Sequence, residues 1–328
     1  MTVLLLTLLM LWVFHKQWDN ILASLAAVSV GSMLFFVFLG ILTNVLDALA
    51  HWAMVRTSLD SFSFGQAVEL VYLGLFFNVA TLAAGTVPLQ GHYLHQHGMV
   101  TGAGMGTVLV EYTLHKAMVL LYAGIMLLFG GQWSDLRDTH YTGYLLAGYG
   151  IAILIILFLI VVCCDHRVQA ALSKLIDHIP ENGNWAKRKA AWQFHLSALG
   201  EQSRRIVKDR RACLLSVLFT ALKLFTLYSI PFACLHSLGA DILRYGQAHL
   251  LSALMLLLTG AMPNIGGMGP TEASFLLIFS PFVGQTNALS ALILYRIATY
   301  YIPFLLGTMA FLHWRKTIRT GQKSRERK

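Results

Sequence analysis

The sequence predicts an all-α, polytopic helical integral membrane protein. Three observations predict it. The composition is 57% hydrophobic and only 12% charged, with a mean hydropathy of +0.65, whereas soluble domains carry about 25% charged residues. Apolar runs of about 20 residues, the length a helix needs to cross a bilayer, recur along the chain. Two further apolar stretches are interrupted by glycine and proline, which no continuous helix tolerates in its interior. Together they give about seven or eight membrane segments, two of them broken or re-entrant hairpins.

In chain order, Met1–Phe14 is apolar but short, either a tilted first span or the remnant of a longer one. It has no charged leader region, so it does not read as a cleavable signal. His15–Asn20 is a polar break. Val30–Met54 is a full span ended by Arg56. Gln66–Ala84 is apolar until Gly85, Pro88 and the run HYLHQH interrupt it, so residues 66–99 read as a first broken hairpin. Thr107–Phe129 is a span, Gln132–His140 a polar loop and Thr142–Val162 the next span.

Asp165–Arg211 is the longest polar stretch, with ten Lys or Arg and five Asp or Glu. Ala171, Leu172, Leu175, Ile176 and Ile179 form an apolar stripe in it. A basic amphipathic helix of this kind lies on the membrane surface or packs against the ends of the spans. Cys213–His236 is a span. His249–Met262 and Ala273–Phe282 are each too short to cross, and Pro263, Gly266, Gly267, Gly269 and Pro270 separate them, so residues 249–282 read as the second broken pair. Broken backbone at membrane depth is tolerated where protein buries it or water reaches it. Leu289–Leu312 is the last span. The tail Arg315–Lys328 holds seven basic residues and one acid. Residues 1–314 thus form one transmembrane domain, with residues 315–328 a basic tail.

The net charge of +9 is the mark of cytoplasmic loops rather than of nucleic-acid binding. The positive-inside rule places residues 165–211 and the tail in the cytoplasm, and an even number of crossings must separate them. Two full spans supply it, so the second broken pair enters and leaves on the outer side. A first hairpin entering from the cytoplasm gives a cytoplasmic amino terminus and the inverted-repeat pattern of secondary transporters.

Ionisable groups inside spans cost about 2.5–3.5 kcal/mol each on insertion scales and face a partner or a cavity. Lys223 and Arg296 lie inside spans, and Glu272 opens the second arm of the second broken pair. Asp47 and His51 are one turn apart, as are Glu111 and His115, with Lys116 beside them. Glu272 and Arg296 read either as part of a polar path or as a buried structural pair. Lys223 has no acid within a turn on its own helix, which favours a ligand-binding role. His92, His95 and His97 lack the further thiol or carboxylate that zinc sites use, and read as interfacial histidines. Cys163, Cys164, Cys213 and Cys234 suggest small buried residues and no disulfide framework, although Cys163 and Cys164 at a span end could carry palmitate. Motifs of serine hydrolases, zinc peptidases, nucleotide-binding loops and dinucleotide folds are missing. Residues 165–211 are too few for a catalytic domain.

Three blocks resemble a known family. FFNVATLAAGTVPLQGHYLHQHG (Phe76–Gly98), MPNIGGMGPTE (Met262–Glu272) and LYRIATYYIPFLLG (Leu294–Gly307) are similar to the three signature blocks of the lysylphosphatidylglycerol synthase transmembrane-domain family. This is the membrane half of the bacterial multiple peptide resistance factor. The chain departs from the family pattern at Leu82, where proline is frequent, at Thr86 and Val87, and at Asn264 and Ile265. The resemblance implies a flippase-like handling of an anionic or aminoacylated phospholipid in the bacterial plasma membrane, contributing to envelope charge and resistance to antimicrobial peptides. A phosphatidylglycerol lysyltransferase role would need a catalytic domain that this chain lacks, supplied by a separate aminoacyl-transferase partner. A non-transporting scaffold is the third possibility. The expected lipid path comprises Asn78, Thr81, Pro88, Gln90, Lys223, Pro263, Gly266, Gly267, Gly269, Glu272, Arg296 and Tyr300. The expected partner is membrane phospholipid, with a homo-oligomer as a further option. No catalytic residue, metal, cofactor or nucleic acid is expected.

Overall fold

The computed structural model describes residues 23, 25–26, 28–129, 142–178, 184–262 and 268–326. The described residues form helices and contain no strand. In chain order these are α1 (Val30–Val55), α2 (Phe64–Ala80), α3 (Thr86–Gln96), α4 (Thr101–Phe129), α5 (Thr142–Cys164), α6 (His166–Asp177), α7 (Asn184–Lys208), α8 (Arg210–Ser237), α9 (Tyr245–Ala261), α10 (Pro270–Val283) and α11 (Gln285–Arg296). A π-helical turn (Ile297–Tyr301) joins α11 to α12 (Ile302–Glu326). Among the described residues, five stretches are long and apolar enough to cross a membrane: Val30–Val55, Thr101–Leu128, Leu146–Cys164, Arg210–Ser237 and Gln285–Ile318. The chain is a polytopic α-helical membrane protein.

The first broken segment is an antiparallel helical hairpin. Ser63 caps α2, accepting from the Gln66 amide, while Gln66 accepts from the Ser63 amide at 2.8 Å. Helix α2 has 17 residues and α3 has 11, too few in either arm to cross. The arms are stapled side by side: the Gln90 amide donates to the Leu70 carbonyl at 3.1 Å, and the Tyr93 hydroxyl donates to Glu69 at 2.7 Å. Gly74 leaves the space that the Gln90 amide fills. The second broken segment repeats the plan. The 17 residues of α9 and the 14 of α10 fold back on each other, with Leu251, Leu254, Phe275 and Phe279 in the largest apolar core.

Several boundaries differ from expectation, for one physical reason. The span expected from Thr107 begins at Thr101, because TGAGMG does not break the helix. Its glycines let neighbouring helices approach. A β-carbon at Gly102 would collide with the His195 carbonyl, one at Gly106 would crowd the Leu199 carbonyl, and one at Gly104 would lie 3.1 Å from the Gly91 carbonyl. Small residues at helical spacing are how membrane helices pack closely. Helix α7 therefore lies along α4 with Leu199, Gln202, Ser203 and Ile206 buried. Within the basic stretch, α7 packs against the ends of the spans. The last span likewise extends beyond Leu289–Leu312, to Gln285–Ile318.

Side-chain ties identify the two ends of the bundle. At one end Ser58 donates to Gln202 at 2.8 Å, and the Trp314 indole donates to Gln96 at 2.8 Å. This end gathers α6, α7, the mouth of the first hairpin and the C-terminal part of α12. At the other, the Tyr122 hydroxyl pairs with His249 at 2.8 Å, and Ser229 pairs with His249 at 3.1 Å. That end holds the mouth of the second hairpin. The two hairpins thus enter the bundle from opposite ends.

Candidate functional site

The hairpin tips meet deep in the bundle. Val79, at the end of α2, Met268, just before α10, and Tyr300, in the π turn, form one buried cluster, with Tyr301 and Phe304 packed on it. The π turn is held there by close approach: Gly40 of α1 has the Ala298 carbonyl where a β-carbon would stand. An extra residue in a helical turn is frequent at functional positions.

The first tip is a five-residue turn, Thr81–Gly85. Thr81 shapes it: its hydroxyl donates to the Phe77 carbonyl at 2.7 Å and accepts from the Gly85 amide at 2.8 Å. The Ala83 amide donates to the Asn78 carbonyl at 2.7 Å. Leu82 (φ +52°) and Ala83 (φ +73°) both occupy the left-handed region, a conformation that costs a side-chain-bearing residue about 1–2 kcal/mol. Proline, locked near −65°, could not adopt the Leu82 conformation. Ala80, Leu82, Ala84 and Pro88 are exposed at the tip. Asn78 is half-buried, and the Thr86 hydroxyl is buried without a hydrogen-bond partner among the described residues. Gln90 is buried between the arms and serves the hairpin itself.

At the second tip, Pro263, Gly266 and Gly267 lie outside the described residues. Gly269 has φ +92°, and among the described residues no heavy atom lies within 4 Å of a β-carbon built on it. Glycine is required there by backbone conformation, not by crowding. Glu272 ties the tip to the last span. One carboxylate oxygen accepts from the Gly269 amide at 2.6 Å, capping α10 at its positive end. The other accepts from Arg296 Nε at 2.6 Å and pairs with Arg296 Nη2 as well. Both residues are buried, and the guanidinium lies 4.8 Å from the Tyr300 ring centre. Glu272 and Arg296 thus form a buried ion pair that joins the second tip to the last span.

Lys223 is not a lone cation. Its ammonium lies 2.6 Å from Asp47 Oδ1 on α1. The expectation of an unpartnered lysine is corrected, because the partner sits 176 residues away and helical spacing could not reveal it. Asp47, His51 on α1 and Glu111 on α4 bring their polar atoms within 4.8 Å of one another. The ammonium of Lys223 already fills Asp47, and a divalent ion there would face a like charge, so the group is not read as a metal centre. His92, His95 and His97 bond locally, to Gln96, the Met99 carbonyl and the Tyr93 carbonyl respectively.

Lys116, noted in the sequence beside Glu111 and His115, was not among the residues expected on the lipid path. Its ammonium lies over Tyr112, 5.3 Å from the ring centre, and against Gly260, where a β-carbon would stand 2.7 Å from it. It therefore meets the last turn of α9, whose carbonyls are the negative helix end. Among the described residues no carboxylate lies within ion-pair distance of it. The signal was present: a lysine at the centre of a 29-residue apolar helix. On the other face of α4, Val110, Leu114, Ile156, Ile160, Cys163 and Cys213 line an apolar cavity of about 260 Å³.

Compared with known proteins, residues 1–307 match the family model described as lysylphosphatidylglycerol synthase TM region. No curated protein and no solved structure matches the chain.

Proposed function

The chain belongs to the lysylphosphatidylglycerol synthase TM region family, and from that premise we propose that it moves an anionic or aminoacylated phospholipid headgroup between leaflets, past the junction of its two hairpin tips. The carrying observation is the meeting of two broken hairpins from opposite ends at Val79, Met268 and Tyr300. That is the arrangement by which transporters place a site near the bilayer midplane. Arg296 and Lys223 are balanced by Glu272 and Asp47, which leaves Lys116 as the cation best placed to receive a lipid phosphate beside the second tip. The apolar cavity next to α4 offers room for part of an acyl chain.

Lys116→Gln tests this assignment. A hydrogen bond to a charged group contributes about 1.5–3 kcal/mol. The variant is therefore expected to bind phosphatidylglycerol in nanodiscs roughly tenfold to a hundredfold more weakly, with unchanged thermal unfolding. Undiminished binding would remove Lys116 from the path. A lipid-resolved mass spectrum of the purified chain identifies the headgroup class. Retained phospholipid without movement between leaflets would favour a scaffold, or a component of the lysyl-transfer pathway.

The basic end, with α6, α7 and the C-terminal part of α12, is assigned to the cytoplasm of a bacterial cell by the positive-inside rule. Ser197→Cys, exposed on α7, should be shielded in intact cells from an impermeant thiol reagent. Ile242→Cys, exposed between α8 and α9, should label. The reverse pattern would invert the topology.

A further inference from the structure

We propose that Asp47, His51, Glu111 and Lys223 form an intramembrane proton-binding site, holding one exchangeable proton between His51 Nε2 and the Glu111 carboxylate. The proposal does not rest on the lipid reading. Hydrogen-bond bookkeeping carries it. His51 Nδ1 lies 3.0 Å from the Asp47 backbone carbonyl. A carbonyl oxygen only accepts, so Nδ1 bears the hydrogen. In a neutral imidazole, Nε2 is then a lone pair, and it faces Glu111 Oε2 at 3.5 Å. Two acceptors confront each other at a place where both residues are buried, 5% and 6% exposed. The second oxygen of Glu111, Oε1, is buried with no hydrogen-bond partner among the described residues. A buried pair of acceptors is costly unless a proton lies between them.

Charge counting points to a single positive charge. Asp47 and Glu111 contribute two negative charges, and Lys223, 2.6 Å from Asp47, contributes one positive. The groups facing them from each packed element are Asp47 and His51 on α1, Glu111 and His115 on α4, and Lys223 on α8. Lys116 directs its ammonium to Gly260 instead. The cluster with neutral histidines is one charge short of balance, and one proton supplies it, as imidazolium against carboxylate or as carboxylic acid against imidazole. His115 also has a buried ring nitrogen without a partner, and Thr220, one turn before Lys223 on α8, has a buried hydroxyl without one. These add polar lining to the same region. The more exposed members are Asp47 and Lys223, whose side chains keep 17% and 12% of their surface accessible.

The test is a potentiometric titration of the purified, chelator-treated full-length chain in detergent between about pH 5 and pH 8, the range in which histidine pairs exchange protons. The comparison is the double variant His51→Gln with Glu111→Gln, which leaves the balanced Asp47–Lys223 pair intact and so is expected to fold. The wild-type chain should exchange about one proton more per chain than the variant, with or without added sodium or zinc. Equal proton exchange would overturn the proposal. So would exchange abolished by sodium or zinc with the metal retained, which would make the position a metal-ion site. Where the variant fails to elute as a folded species, the wild-type chain is read alone by infrared difference spectroscopy across the same range. A titrating imidazole or carboxylic-acid band that is lost in His51→Asn supports the site, and a flat spectrum overturns it.

Discussion

Arg296→Met is expected to lower the stability of the chain by about 3–5 kcal/mol, the cost of breaking a buried ion pair by removing one partner. Glu272 is buried in the first turn of α10, and methionine would leave one of its oxygens without a counter-charge. The loss reaches beyond the pair. The other Glu272 oxygen holds the Gly269 amide, so the second hairpin tip would lose its tie to the last span. Glu272→Gln should cost a comparable amount, since its amide oxygen can still accept from Gly269 while Arg296 is stranded. Combining the two substitutions removes both charges and should recover part of the stability, because matched apolar or neutral replacements of a buried pair are frequently tolerated. Thermal unfolding of the four proteins in one detergent is the measurement. An Arg296→Met chain that unfolds like wild type, while losing lipid binding, would move this pair from the framework to the lipid path.

Lys223→Met is expected to be as damaging. Read from its own helix, Lys223 looks removable, because no acid lies within a turn. In the folded chain it neutralises Asp47, and Glu111 stands within 4.8 Å of that carboxylate. Without the ammonium, two carboxylates share a buried space, which adds repulsion to the about 3–5 kcal/mol for a stranded partner. Asp47→Asn in the same chain should restore most of the loss. Failure of that rescue, with Lys223→Met alone stable, would show that the pair is not formed in the membrane.

These contrasts indicate which parts of the molecule could be read in advance. The five spans and the two broken hairpins follow from chemistry local to the chain. Run length marks the spans, and Gly85, Pro88, Gly269 and Pro270 mark the breaks, because helix interiors do not tolerate such clusters. The Glu272–Arg296 pairing was visible because both are charges placed within membrane segments, where charges find partners. The Lys223–Asp47 pair was not, since helix spacing reveals neighbours one turn apart and says nothing about helices joined through the rest of the fold. The start of α4 at Thr101 rather than Thr107 has a related reason, in Gly102, Gly104 and Gly106. Glycine in a helix lowers intrinsic stability, yet in a membrane it also permits the approach of α7 and α3, and only the tertiary partner decides which effect prevails. The π turn at Ile297–Tyr301 carries no local signal, being imposed by the contact of Gly40 with Ala298.

Lipid movement past the two hairpin tips can be measured on the purified chain alone. The chain is reconstituted into phosphatidylglycerol-containing vesicles with a headgroup-labelled fluorescent phosphatidylglycerol, and an impermeant reductant quenches the label reachable from outside. Vesicles carrying the protein should lose most of the inner-leaflet label, at a rate that falls in Lys116→Gln. Protein-containing vesicles that keep their inner-leaflet label, as protein-free vesicles do, would contradict it.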